Sequence, residues 1–181
     1  ALDMTSGVRF VEDYNHPESD IRRIDIASGW RPSPDSDSCP TIRDVILTLP
    51  QIRPHGERFE YRSIETDVVA WALERAANES LANLVSELIW QKIGAEHDAF
   101  FTVDRAMTAL ADGGFNATLR DYARFGLMMQ NGGRTESIQV VPEDWVEQST
   151  CGNGSVYDAP YSDLCPSGSY RNFWWLNNIR Q

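Results

Sequence analysis

Apolar residues recur at helical spacing through the middle of the chain. Ile64, Val68, Trp71, Ala72 and the aliphatic stem of Arg75 trace one face behind Ser63, a natural N-cap, and predict a helix over 63–78. Leu81, Leu84, Val85, Leu88 and Ile89 follow the spacing of a core-facing stripe and predict a second helix over 80–92, with Gly94 placed to close it. Two capping boxes, Thr41-Ile42-Arg43-Asp44 and Thr118-Leu119-Arg120-Asp121, open helices over 41–49 and 118–131. Pro50 stops the first of these and Asn131-Gly132-Gly133 the second. Val141-Pro142 starts a short helix over 142–149 that carries Trp145. Residues 1–40 are rich in proline, glycine and polar side chains and predict loop, with at most a short helix near Ser19 to Ile26. Strand candidates are few: Phe100 to Val103, Ile138 to Val141 and Phe173 to Leu176.

Three short, widely separated strands do not make a sheet with a buried face. The helices carry clear apolar stripes that must cover something. Residues 1–181 therefore read as a partial domain, the mainly α part of a larger α/β protein cut at both ends. Exposed helix faces on such a segment predict self-association, or docking with the missing part of the fold.

Composition narrows the partners. At 41% hydrophobic content over 181 residues, one core is within reach and two are not. Sixteen Lys and Arg against 27 Asp and Glu leave a formal charge of −11, which argues against nucleic-acid binding and against adsorption to anionic membranes. Apolar runs such as Phe173-Trp174-Trp175-Leu176 fall far short of the ~18 residues needed to span a bilayer. No charged-then-apolar leader opens the chain, which leans the expectation toward the cytoplasm. Lys92 is the only lysine. Of Cys39, Cys151 and Cys165, the last two bracket a loop and leave a bridge open, although three ordinary thiols are the simpler reading.

Most site patterns are absent. His16, His55 and His97 stand far apart with no ligand spacing, so no metal or organic cofactor is implied. Asp35-Ser36-Asp37 starts like a calcium loop but lacks the later glycine and glutamate. Gly152-Asn153-Gly154 has Tyr157 where a dinucleotide loop needs glycine, and no G-x-S-x-G elbow occurs. Sequons at Asn78, Asn116 and Asn153 fit coincidence in a chain rich in Asn, Ser and Thr. One constellation survives, Pro54-His55-Gly56-Glu57-Arg58-Phe59-Glu60-Tyr61-Arg62-Ser63, which sets a tyrosine and a serine just before a helix. On pattern alone, Ser63 caps that helix and Tyr61 packs, or the two belong to a site.

Leu2-Asp3-Met4-Thr5-Ser6-Gly7-Val8 followed by Pro54-x-Gly56-x-x-Phe59-x-Tyr61-x-Ser63 resembles the serine β-lactamase/penicillin-recognising superfamily, in its class C-like branch of esterases and amidases. Gly113-Gly114, Thr118-x-x-Asp121-x-x-Arg124-x-Gly126 and Tyr170 to Trp175 continue the resemblance in order. Within that branch the chain is most similar to the nylon-oligomer (6-aminohexanoate-dimer) hydrolases. That likeness shows in Glu12-Asp13-Tyr14-x-x-Pro17, Gly29-Trp30-Arg31, Thr66-Asp67-Val68 and Trp90-x-Lys92-Ile93-Gly94-Ala95.

The resemblance implies a serine β-lactamase/transpeptidase-like α/β fold and a serine hydrolase that cleaves a small amide or ester through an acyl-enzyme. Tyr61 is then the general base and Ser63 the polar third residue of its Y-x-S motif. A free phenol has a pKa near 10, so this role needs a positive charge beside it, which the lysine of the family's S-x-x-K motif supplies. Neither that motif nor the later K-T-G or H-x-G is present, so nucleophile and lysine are absent and the segment alone is expected to be silent. By the same resemblance Tyr14 closes over the substrate and Asp25 holds a substrate ammonium. Asp112 sits where relatives carry a polar amide. Carboxylesterase or β-lactamase specificity, and a non-catalytic binding relative, are the alternatives.

Overall fold

The computed structural model describes residues 1–33, 39–151, 154–157 and 160–177. The Asp35-Ser36-Asp37 run, Gly152 and the Asn153 sequon lie outside the described residues.

Helix α1 (Asp20–Ala27) buries Ile21, Ile24 and Ala27 and packs on α2 (Ile42–Leu47), which buries Ile42 and Val45. Phe10, Ile64 and Leu110 complete this core cluster. At the start of α2 both halves of the capping box form. Thr41 Oγ1 accepts the Asp44 N–H at 3.1 Å and the Asp44 carboxylate accepts the Thr41 N–H at 2.9 Å. The buried Asp104 carboxylate takes the Ile42 N–H at 2.9 Å and those of Ala106 and Thr108 at 2.8 Å each, tying a distant loop to the helix start.

Helix α3 (Ile64–Ala77) turns a different face inward from the one its apolar spacing predicts. Ile64, Glu65, Asp67 and Ala70 are buried, whereas Val68, Ala72 and Arg75 are exposed and Trp71 is half-buried under the Arg43 guanidinium. Two acidic residues enter because each meets polar partners. The Ser6 hydroxyl donates to Glu65 at 2.6 Å beside Arg62, and the Ala111 N–H donates to Asp67 at 2.7 Å. Helix α4 (Leu81–Val85) continues as one π-type turn over Ser86–Trp90. Along its stripe only Leu81 is buried and Leu88 is exposed.

The strands are short. β1 (Phe100–Phe101) pairs antiparallel with β2 (Phe115–Asn116), and the expected strand does not reach Val103, which makes a single bridge to Ala109. Ile138 to Val141 is not a strand either. The Gly133 carbonyl draws in the Val140 and Val141 N–H groups at 2.9 Å each, and Gly133, at φ 83°, sits so close to the Val141 carbonyl that only glycine fits. Helix α5 (Leu119–Gln130) forms half of its capping box. Thr118 caps the Asp121 N–H, but the Asp121 carboxylate accepts the Thr118 hydroxyl at 2.7 Å, the Glu96 N–H and Arg124 instead of the Thr118 N–H. Pro142 is the N-cap of α6 (Glu143–Thr150).

The last third adds β3 (Ser155–Val156), α7 (Tyr161–Leu164), β4 (Ser169–Arg171) and β5 (Trp174–Leu176), with the strands in the antiparallel order β3-β4-β5. β4 and β5 join through Asn172 and Phe173, at φ 48° and 66°, so the strand expected from Phe173 begins one residue later. A two-residue turn with both φ positive matches the twist of the flanking strands. Asparagine adopts this region readily, whereas for phenylalanine the cost is ~1–2 kcal/mol, offset by packing on the aromatic cluster. The turn is also tied to the chain start, with Phe173 N–H on Leu2 O and Asn172 N–H on Asp3 Oδ1, both at 2.9 Å. The three cysteines are free thiols. No described helix is long and apolar enough to cross a membrane.

Candidate active site

The extended approach to α3 places Phe59 and Tyr61 on the same side of the chain. Phe59 is buried among Tyr157, Tyr161, Tyr170 and Trp175, at ring-centroid separations of 5.5 to 6.3 Å. Tyr61 sits at the rim of the same cluster, 5.1 Å from Trp175 and about as near Tyr170 and Tyr161, at 6.1 and 6.2 Å. Its hydroxyl donates no hydrogen bond to a described residue. Burial pushes its pKa up to about 12, and the negative charges of Glu12 and Asp112 add to that rise. The phenol is therefore neutral at physiological pH.

Ser63 does not cap α3 with its side chain. Its backbone is already helical, at φ −53° and ψ −39°, so the hydroxyl cannot reach the amides ahead of it. The Ser63 N–H instead donates to Glu12 Oε2 at 2.8 Å, while Glu12 Oε1 accepts the Tyr14 hydroxyl at 2.7 Å. One carboxylate thus fastens the Tyr14 loop to the entry of α3. Tyr14 is exposed, with the Arg22 guanidinium 5.8 Å from its ring centre. Partial burial and its bond to Glu12 hold its phenol above the usual range.

Asp25 lies buried on α1, where its carboxylate pairs with Arg22 Nη1 at 2.6 Å and Arg31 Nε at 3.1 Å. A substrate ammonium would have to share it with two guanidiniums. Arg22 contacts both Asp25 and Tyr14, which joins this edge to the rest of the site.

Asp112 stands in the tight turn from Leu110 to Gly114, closed by a Gly114 N–H to Leu110 O bond of 2.9 Å. A side chain at Gly114 would start 2.5 Å from that same oxygen, which fixes glycine there. At Gly113 a Cβ would stand 3.4 Å from the Trp30 ring, so Trp30 walls this turn. Burial raises the Asp112 pKa. The Ser63 hydroxyl, buried without a hydrogen bond of standard geometry, faces it and opposes the rise, while Glu12 and then Asp25 reinforce it.

The structure thus brings Tyr14, Tyr61, Ser63 and Asp112 together and sets Asp25 at the margin, committed to arginines. It adds Glu12, Asp67, Tyr161 and Trp175, which sequence reasoning did not nominate. For Asp67 a signal existed, since it follows Ser63 by four positions and shares its helix face. Glu12 was visible only as part of the Glu12-Asp13-Tyr14 motif. Lys92 is exposed, in the turn after Trp90. Among the described residues no group of three or more His, Cys, Asp or Glu is arranged to hold a metal ion. The result is a group of carboxylates beside an aromatic cluster in which the charges acting on the Tyr61 phenol are negative, an arrangement that attracts a cation.

The chain is 36% identical over 176 residues, 96% of its length, to the 6-aminohexanoate-dimer hydrolase of Paenarthrobacter ureafaciens, of which it covers 44%. A Bacillus anthracis structure assigned as a 6-aminohexanoate-dimer hydrolase superposes with a TM-score of 0.85 at 31% identity, over 99% of this chain and 47% of that one. A penicillin-binding protein of Bacillus halodurans shares the fold, with a TM-score of 0.62 at 16% identity over 96% of this chain and 54% of the other. The chain spans about half the length of the relatives it matches. Residues 1–160 match the Beta-lactamase family model, and with most of its length accounted for in this way the chain belongs to the Beta-lactamase family.

Proposed function

We propose that this chain is the Tyr61-bearing part of a serine hydrolase that cleaves linear amides of the 6-aminohexanoate type through an acyl-enzyme. The observation that carries the reading is the setting of Tyr61. Its phenol stands at the rim of an aromatic cluster, two residues before Ser63, where burial and then the charges of Glu12 and Asp112 push its pKa up. A phenol so placed becomes a base only when an ammonium is brought against it, as the lysine of an S-x-x-K motif would be. The similarity to the 6-aminohexanoate-dimer hydrolase of Paenarthrobacter ureafaciens, and to a structure assigned the same name, supports a linear amide as substrate.

In this mechanism Tyr61, lowered by that lysine, takes the proton of the attacking serine hydroxyl and returns it to the leaving amine. Ser63 orders the phenol from the helix start. Tyr14 closes the mouth with Glu12 as its hinge point, Asp112 faces the substrate's polar end, and Asp25 draws a substrate ammonium toward its arginine-bound carboxylate.

The test is turnover by the whole hydrolase containing this chain, with and without Tyr61→Phe. Loss of a positioned acid–base is expected to lower kcat on 6-aminohexanoate dimer by about 10²–10⁴-fold, with KM little changed. Undiminished turnover refutes the role of Tyr61. Hydrolysis of a cephalosporin or a nitrophenyl ester alone reassigns the substrate, and no acylation of any serine favours a binding relative.

A further inference from the structure

Asp67 is 3% exposed, in the first turns of α3, one helical turn after Ser63. Its Oδ1 accepts the Ala111 N–H at 2.7 Å, and the Asp112 N–H points at the same carboxyl. Its Oδ2 is buried with no hydrogen-bond partner. Among the described residues no basic side chain pairs with it. Burying a carboxyl without a cation is unfavourable, and a serine or asparagine would suspend a loop at less cost. The group therefore does more than pack.

We propose that Asp67 is a positioning residue of the site, hanging the Ala111–Asp112 turn from α3 so that the Asp112 carboxyl is held opposite Ser63 and Tyr61. One helix then carries Tyr61 and Ser63 at its entry and Asp112 on a tether, which fixes their relative places. This deepens the hydrolase reading and rests on it only for Asp112 facing the substrate. Burial and then the Asp112 charge raise the Asp67 pKa well above the usual carboxylate range, and burial raises that of Asp112. Glu12 from the first loop and Asp25 from α1 add to the rise at Asp112, which the Ser63 hydroxyl opposes, while the backbone amides of Ala111 and Asp112 oppose the rise at Asp67. The place in which Asp67 holds the turn thus sets which neighbours act on the Asp112 carboxyl.

The experiment follows the Asp112 carboxyl by ¹³C NMR titration, together with amide exchange at Ala111, in the unmodified chain, Asp67→Asn and Asp67→Ala. Asparagine keeps an acceptor for the Ala111 N–H but removes the charge. Ala111 should stay protected and Asp112 should titrate close to where it does in the unmodified chain, because the tether is kept. Alanine removes the tether, so Ala111 exchange should quicken at least about ten-fold and the Asp112 titration should move with it. Ala111 exchange that quickens as much in Asp67→Asn overturns the proposal, as does unchanged Ala111 protection in Asp67→Ala. Should Asp67→Ala not fold, Asp67→Asn decides alone. If these shifts occur but the whole hydrolase cleaves no amide, the hydrolase reading fails and the positioning role stands.

Discussion

Replacing Tyr61 by phenylalanine removes one hydroxyl and leaves the ring contacts with Tyr161, Tyr170 and Trp175 in place. The hydroxyl holds no described partner, so at pH 8 the substitution should change stability by no more than about 0.5 kcal/mol. At high pH the two proteins part. In the unfolded chain the phenol ionises at its ordinary value of 10.0, and in the folded chain at about 12. A raised folded pKa means that the contribution is intact below pH 10 and is lost as pH climbs through 12, because only the unfolded chain gives up the proton in between. Linkage puts the loss at about 1.4 kcal/mol at pH 11, and partial solvent access reduces it to about 1. Tyr61→Phe should thus be more stable than the parent by about 1 kcal/mol at pH 11 and equal to it at pH 8. Urea unfolding followed by far-UV circular dichroism at the two pH values measures both numbers. The same advantage at both values, or none at pH 11, would show that burial and the carboxylates do not set the ionisation of this phenol.

Other expectations are independent of that one. Asp104→Ala strips the acceptor from three backbone amides at once, so urea unfolding should show a loss of about 3–5 kcal/mol, and a loss under about 1 would mean water replaces the carboxylate. Phe59→Ala opens the middle of the aromatic cluster and should destabilise by about 3–5 kcal/mol, with loss of near-ultraviolet dichroism from the neighbouring tyrosines and Trp175. Glu12→Gln keeps an acceptor for the Ser63 N–H but removes a negative charge, so Tyr61 should titrate lower by several tenths to about one pH unit in ultraviolet titration.

What the sequence disclosed depended on the range of the interaction concerned. Thr41 and Asp44 lie three residues apart and complete their cap without help, so that helix start was legible. Thr118 and Asp121 have the same spacing, but the amide of Glu96 and the guanidinium of Arg124 compete for the carboxylate, and no local rule shows this. The inward face of α3 was misread for the same reason. Glu65 and Asp67 are inside because Ser6, Arg62 and Ala111 meet them there, and apolar periodicity registers none of these partners. The strands β2, β3 and β4 are two or three residues long and leave almost no alternation to find. At the site, the local pattern singled out Tyr61 and family likeness gave it a role. The rise in its pKa comes first from burial and then from Glu12 and Asp112, which lie 49 and 51 positions away in sequence and meet it only in the fold.

The turn that closes β4 and β5 has a wider consequence. Its two amides are held by Leu2 and Asp3, nearly the full length of the chain away. Closing so large a loop costs chain entropy that local contacts cannot offset, so this clasp belongs to the late, slow steps of folding. Once it is made, neither the Leu2–Asp3 segment nor the Asn172–Phe173 turn opens alone. The Phe173 amide should exchange with solvent only when the polypeptide opens from end to end, which makes it a natural reporter of global unfolding.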